Sequence, residues 1–323
     1  MNTEMTHTTP QTDIVLTEAL PMGQNPAAVY LASLESEGSR RNQKAALDMI
    51  AGLLTENADA FSVDWSKVRY QHTTAIRTRL AEVYAPSNAN RHLSALRQTL
   101  KRAFILGQMG AEEYQRAIMV DNVKGETLPA GRELGSGEIV ALMAACENDP
   151  SPAGVRDAAI IGVMYVGGLR RAEITAIDLD DYDTETGRMV VRGKRRKERT
   201  AYLENGSGRA LIDWLAVRGD DPGPMFYPVN KGGKIQHRRM TTQAIYNMLD
   251  KRGKEAGVSN FSPHDMRRTF VSDHLAAGTD IAIVAKMAGH ASVTTTARYD
   301  RRPEEAKREA AGRLHLPYRG RLS

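Results

Sequence analysis

Pro263-His264-Asp265-Met266-Arg267-Arg268-Thr269-Phe270 lies in the last third of a 323-residue chain. A proline at the head of this run predicts a helix start, because its missing N–H costs nothing in a first turn. On such a helix His264 and Arg267, three residues apart, share a face. The pair can move a proton and hold an anion, but isolated pairs of this kind are common on protein surfaces. Its weight comes from its surroundings. Upstream stands Gly167-Gly168-Leu169-Arg170-Arg171-Ala172-Glu173-Ile174. Between the two lies Gly193-Lys194-Arg195-Arg196-Lys197-Glu198-Arg199. Downstream, Ala288-Gly289-His290 leads through Thr295 and Thr296 to Tyr299.

These residue types suit one chemistry. A phosphodiester resists nucleophiles, and its pentavalent transition state gathers charge on two non-bridging oxygens. An arginine fork donates two parallel hydrogen bonds and stays charged, so Arg170 and Arg267 can clamp both oxygens. Tyr299 is the candidate nucleophile. Forming its phenolate at neutral pH from a pKa of about 10 costs roughly 4 kcal/mol. The arginines lower that cost, and His264 or His290 can take the proton. The leaving 5′-oxygen needs a proton, which a lysine in the basic turn can supply. Charge alone does not choose between Lys194 and Lys197. The same run, with Arg195, Arg196 and Arg199, also suits a phosphate-binding finger. The sequence has no CxxC pair, no HExxH and no GxxxxGK[ST] loop, so neither a metal, a cofactor nor nucleotide hydrolysis is expected.

The segments resemble the boxes of the tyrosine recombinases, the phage-integrase and Xer-like superfamily. By that resemblance Arg170 is the first clamp, Glu173 the acid that supports the site and Lys194 the catalytic lysine. His264, Arg267, His290 and Tyr299 complete the set. Met266 and Ala288 stand where the family has leucine, Arg195 where it has glycine and Gly167 where it has threonine. None of these departures removes a reacting group.

The resemblance implies a mainly α fold with a small antiparallel β-sheet. A helical core-binding domain and an α+β catalytic domain would form a C-shaped clamp on DNA. It implies a site-specific recombinase or integrase that cuts and rejoins strands through a 3′-phosphotyrosyl intermediate. The expected partner is double-stranded DNA with inverted half-sites, bound by a homo-tetramer on two DNA sites. A second recombinase or an accessory protein is compatible with it. The tail, Pro303 to Arg313, is a candidate for exchange between protomers. A type IB topoisomerase-like enzyme and a DNA-binding protein without cleavage activity are the alternatives.

Working outward, residues 136–323 form the expected catalytic domain with its C-terminal tail. Ser136-Gly137-Glu138 reads as a helix cap, Arg156 to Gly168 as a buried helix, and Arg188 to Val191 with Thr200 to Leu203 as two strands about the basic turn. Helical patterns follow over Leu211–Leu215, Gln243–Lys254, Pro263–Ala277, Ile281–Met287 and Ser292–Tyr299. Residues 121–135, with Gly125, Pro129, Gly131 and Gly135, read as a linker. Residues 25–120 carry only helical periods, ending in a long helix opened by Pro86 with Leu93, Leu96, Leu100 and Phe104 on its apolar stripe. Arg91, Arg97, Lys101 and Arg102 flank that stripe and are the expected DNA contacts of this unit. Residues 1–24 read as a mobile arm.

Composition sets the outer bounds. A prior of about 150 residues per domain gives two domains. A net charge of +5 and a pI near 9.2 fit a polyanionic partner without demanding one. One cysteine, Cys146, cannot form an internal disulfide and reads as a buried structural thiol. The most apolar run, Ala158 to Leu169, is shorter than the roughly 20 residues needed to span a bilayer. With no signal-peptide pattern, a cytoplasmic protein without membrane contact is expected.

Overall fold

The computed structural model describes residues 16, 18, 20–125, 131–193, 198–300, 308, 311, 312 and 317. Lys194, Arg195, Arg196 and Lys197, most of the 1–24 arm and most of the Pro303 to Arg313 tail lie outside the described residues. The chain divides into two compact units, Met1–Pro129 and Ala130–Ser323, with the division inside the 121–135 stretch.

Unit 1 is helical: α1 (Pro26–Ala32), α2 (Glu37–Leu54), α3 (Tyr70–Val83), α4 (Pro86–Ile105) and α5 (Ala111–Ile118). Local chemistry marks the starts. The Asn25 side chain accepts from the N–H groups of Ala27 and Ala28, and Pro26 and Pro86 occupy first-turn positions. Leu47, Ile50, Ile76, Leu80, Leu93, Leu96 and Leu100 meet in one core around Trp65, whose indole N–H donates to the Ala60 carbonyl at 2.8 Å. Phe104, expected on the buried stripe of α4, is exposed and stacks on Tyr114 with ring centroids 5.0 Å apart.

Unit 2 runs α6 (Ser136–Glu147), α7 (Pro152–Val166), α8 (Arg171–Ala176), β1 (Tyr182–Asp183), β2 (Arg188–Arg192), β3 (Glu198–Tyr202), α9 (Asn205–Arg218), α10 (Thr242–Glu255), α11 (Pro263–Ala276), α12 (Ile281–Ala288) and α13 (Val293–Ala297). The strands form an antiparallel sheet in the order β1-β2-β3, with Tyr182 opposite Met189 and Val190 opposite Thr200. Ile160, Ile161, Val163 and Met164 of α7 lie at the centre of the core, against Leu211 and Trp214 of α9 and Met189 and Val191 of β2. The mainly helical fold with a small antiparallel sheet is as the sequence led us to expect.

Several boundaries differ from expectation for local reasons. Gly135, not Ser136, caps α6, and the Glu138 carboxylate accepts its N–H at 2.9 Å. Helix α7 starts at Pro152 rather than Arg156, with Ser151 as its cap. Strand β1, two residues long, and helix α8, six residues long, are too short to show a period. Helix α13 ends at Ala297, before Tyr299. Among the described residues, no helix is long and apolar enough to cross a membrane.

Candidate active site

The site is built where the turn after α7, the start of α11 and the turn after α12 meet. Gly168 has φ +59°, and a Cβ there would lie 2.5 Å from the Phe270 ring, so only glycine fits. The turn it makes aims the Gly168 carbonyl at α11, where it accepts from Arg267 Nη1. It also places Arg170 at the cap of α8. At the other wall, Gly289 ends α12 in the left-handed conformation and turns the chain into His290. The Ala288 carbonyl just before that turn accepts from Arg267 Nη2.

Arg170, Arg267 and His264 line one open cleft of about 370 Å³, together with Arg171, Ser262 and Tyr246. Arg170 and His264 are exposed, whereas Arg267 is 2 % exposed. Tyr299 Oη stands 3.4 Å from His264 Nε2, and the Tyr299 ring stacks against His290 with centroids 6.2 Å apart. His290 Nδ1 shares a 2.8 Å hydrogen bond with Thr296 Oγ1, which sets the ring's orientation. His264, Arg267, His290, Tyr299 and Arg170, drawn from three segments of the sequence, therefore converge. Lys194 lies outside the described residues.

Glu173 stands behind this set. Its Oε1 accepts from Arg170 Nη1 at 2.6 Å, and its Oε2 accepts from the Arg170 backbone N–H at 2.8 Å and from Arg199 Nη2 at 3.0 Å. Burial would raise its pKa, but Arg199 and the Arg170 donors hold it below the ordinary glutamate value, so it is charged. Arg199, expected to contact phosphate, turns inward instead. Its side chain is 11 % exposed, its Nη2 meets Glu173, and its Nε donates to the Met287 carbonyl at 2.8 Å. It braces the site rather than reaching out from it. Sequence alone could not separate it from its basic neighbours.

The electrostatics are those of an anion site. Burial pushes the Arg267 pKa down to about 9, and neighbouring Arg170 and Arg199 push the same way, yet it stays charged at neutral pH. Burial, then Arg267 and Arg170, push His290 down to about 4, and the same causes, in the same order except for Arg268, lower His264. Both imidazoles are thus neutral and able to accept a proton at pH 7. Among the described residues no cluster of His, Cys, Asp or Glu gathers as a metal site.

Residues 132–305 match the model of the phage integrase family. The chain belongs to that family. Its match covers the whole of the site just described. Among relatives of this integrase-family protein, the tyrosine recombinase XerC of Vibrio parahaemolyticus is 28% identical over 285 residues, covering 85% of this chain and 88% of the relative. The tyrosine recombinase XerC of Vibrio atlanticus is 30% identical over 288 residues, covering 85% and 88%. The fold is also similar to the Tn1549 transposon integrase solved in complex with a circular intermediate DNA, with a TM-score of 0.67 at 14% identity, covering 92% of this chain and all of that one.

In unit 1, Arg91 and Lys101 of α4 are exposed. Arg97 donates to Asn122 Oδ1 at 2.9 Å and to the Val120 carbonyl. Arg102 reaches Ser33 Oγ at 3.3 Å and lies over the Tyr30 ring. Two of the four expected DNA contacts therefore also have partners within their own unit.

Proposed function

We propose that this protein is a site-specific DNA recombinase that cuts and rejoins strands through a 3′-phosphotyrosyl intermediate at Tyr299. The observation that carries this is the meeting of Tyr299 Oη with His264 Nε2 beside Arg170 and Arg267. The two guanidinium groups hold the non-bridging oxygens of the scissile phosphate, with Glu173 fixing Arg170 from behind. His264, neutral at pH 7, accepts the phenolic proton as Tyr299 Oη attacks phosphorus. The P–O5′ bond breaks, and Lys194, assigned by the family resemblance, protonates the leaving oxygen. A free 5′-hydroxyl from a second strand then attacks the phosphotyrosine, and the phenol leaves with its proton restored. His290, held by Thr296, packs on the Tyr299 ring and can share the proton traffic. The phosphoester bond is conserved throughout, so the cycle balances without an external energy source.

The DNA is duplex with inverted half-sites, and two such sites held by a homo-tetramer allow strands to exchange. Arg91 and Lys101, with the 195–197 turn, supply phosphate contacts beyond the cleft; Arg97 and Arg102 can add to them while holding their internal partners. Passage of the Pro303 to Arg313 tail between protomers would link the tetramer. The deciding experiment uses a nicked suicide duplex, from which the short cleaved piece that carries the free 5′-hydroxyl diffuses away. The native protein accumulates a covalent protein–DNA adduct, and Tyr299→Phe accumulates none. An adduct formed by Tyr299→Phe removes the assignment.

A further inference from the structure

We infer that Arg268 and Ser272 are positioning residues for Tyr299, anchored in turn by the segment Gly131–Leu134. This rests on Tyr299 being the nucleophile. Tyr299 follows the last turn of the five-residue α13, and its backbone N–H bonds to Thr296 one turn back, at 2.9 Å. So short a helix owes its stability to tertiary packing rather than to its own hydrogen bonds. The place of the phenol depends on what α11 presents to it.

Arg268 follows clamp residue Arg267, and one residue along a helix turns about 100° around its axis. Arg268 therefore faces away from Arg267's partners. It is 2 % exposed, and its guanidinium lies 5.5 Å from the centroid of the Tyr299 ring. A cation over an aromatic face attracts it, more strongly when both are withdrawn from water. One turn along α11, Ser272 Oγ donates to Glu133 Oε1 at 2.9 Å and stands 3.5 Å from the Tyr299 carbonyl oxygen. One residue addresses the ring of the nucleophile and the other its backbone.

Both are tied to the same stretch of chain. Arg268 Nη1 donates to the Gly131 carbonyl at 3.1 Å, and Ser272 meets Glu133. Between them, the Arg132 N–H donates to Asp265 Oδ1 at 2.9 Å and the Leu134 N–H to Thr269 Oγ1 at 2.9 Å. Gly131 is pressed close, since a Cβ there would lie 2.1 Å from Asp265 Oδ1. Gly131–Leu134 thus lies along the face of α11 given by Asp265, Arg268, Thr269 and Ser272. The groups on the other sides of Tyr299 are His264, His290 and Arg267. These belong to the chemistry, whereas Arg268 lies over the ring of the nucleophile and Ser272 beside its backbone, each tied back to Gly131 or Glu133.

The test separates aiming the phenol from holding the phosphate. Full-length Arg268→Gln, Arg268→Lys and Ser272→Ala are compared in single-turnover cleavage of the suicide duplex. A second set carries the same changes on a Tyr299→Phe background, with hydrogen peroxide as the outside nucleophile: its oxygen bonds to phosphorus as P–O5′ breaks. Misplacing a reacting group by about 1 Å costs on the order of 100-fold. Arg268→Gln is expected to slow tyrosine cleavage by about 10- to 100-fold, with DNA binding unchanged. Arg268→Lys recovers part of that loss, and Ser272→Ala shows a smaller one. Peroxide cleavage is expected to be the same with or without each change. A parallel fall in peroxide cleavage, or undiminished tyrosine cleavage in Arg268→Gln, overturns the inference. If Arg268→Gln does not fold, Ser272→Ala decides by the same two measurements. A Tyr299→Phe protein that still forms the adduct overturns the nucleophile assignment, a separate outcome.

Discussion

Arg252 and Arg267 are both almost wholly buried, at 1 % and 2 % exposed, yet their surroundings are opposites. Arg252 donates to the carboxylates of Asp149 at 2.6 Å, Asp157 at 2.9 Å and Glu255 at 2.8 Å, while Arg156 joins Asp157 from the other side at 2.6 Å. Burial disfavours its charge, but Asp149 and Asp157 hold its pKa above the ordinary arginine value. Arg267 has carbonyl oxygens of Gly168 and Ala288 for partners, and burial first, then nearby Arg170, drives its pKa down. Neutral carbonyls orient a guanidinium without cancelling its charge. The first arrangement is closed and ties the ends of α6, α7 and α10 together. The second is left with positive charge to spend on a ligand.

Breaking each arrangement should damage a different property. Arg252→Met leaves buried Asp157 with Arg156 alone and takes a partner from half-buried Asp149, and removing one partner of a buried pair costs about 3–5 kcal/mol. Urea denaturation is expected to show a loss of that size, with cleavage per folded molecule retained. A loss under about 1 kcal/mol would mean the network is solvated and the contrast with Arg267 false. Arg267→Gln should do the reverse. Losing a positioned donor to transition-state charge typically slows catalysis roughly 100- to 1000-fold. Adduct formation should fall by that much while the urea midpoint stays close to native, because removing a like charge beside Arg170 offsets the lost hydrogen bonds. Collapse of stability alongside activity would make Arg267 a structural residue like Arg252.

The same contrast explains what was legible in the sequence. Arg170, His264, Arg267, His290 and Tyr299 could be picked out because their chemistry depends on residue type and order, which spacing preserves. Arg252 could not, because Lys251, Arg252 and Lys254 look alike along α10. Lys254 is exposed and pairs with Asp250 on its own helix, whereas Arg252 finds Asp157 95 residues away. The inward turn of Arg199 depends on partners 26 and 88 residues away, Glu173 and Met287. Helix and strand periods recovered the long elements. They passed over β1 and α8, where two and six residues are too few for a period to show. Phe104 was misassigned because three-and-four spacing continued past the point where the α4 stripe meets the core.

His290 gives the smallest and finest test of the surplus charge. Its ordinary pKa of 6.5 is pushed to about 4 by burial first, then by Arg267, Arg170, His264 and Arg199. The folded value lies below the unfolded one, so between pH 6.5 and about 4 the unfolded chain binds a proton that the folded site refuses. The stability this group contributes is therefore complete above pH 6.5 and lost as pH falls towards 4. Histidine ring NMR is expected to show His290 titrating far below the unfolded value. Arg170→Gln should raise its midpoint only part of the way, since burial is the larger cause, and Arg252→Met should leave it unmoved. Duplex DNA carrying a phosphate into the cleft should raise it further, because the anion cancels the guanidinium charges that suppress the imidazolium. A native His290 that titrates at its ordinary value, or one indifferent to DNA, would show that the cleft holds no surplus positive charge for a phosphate to meet.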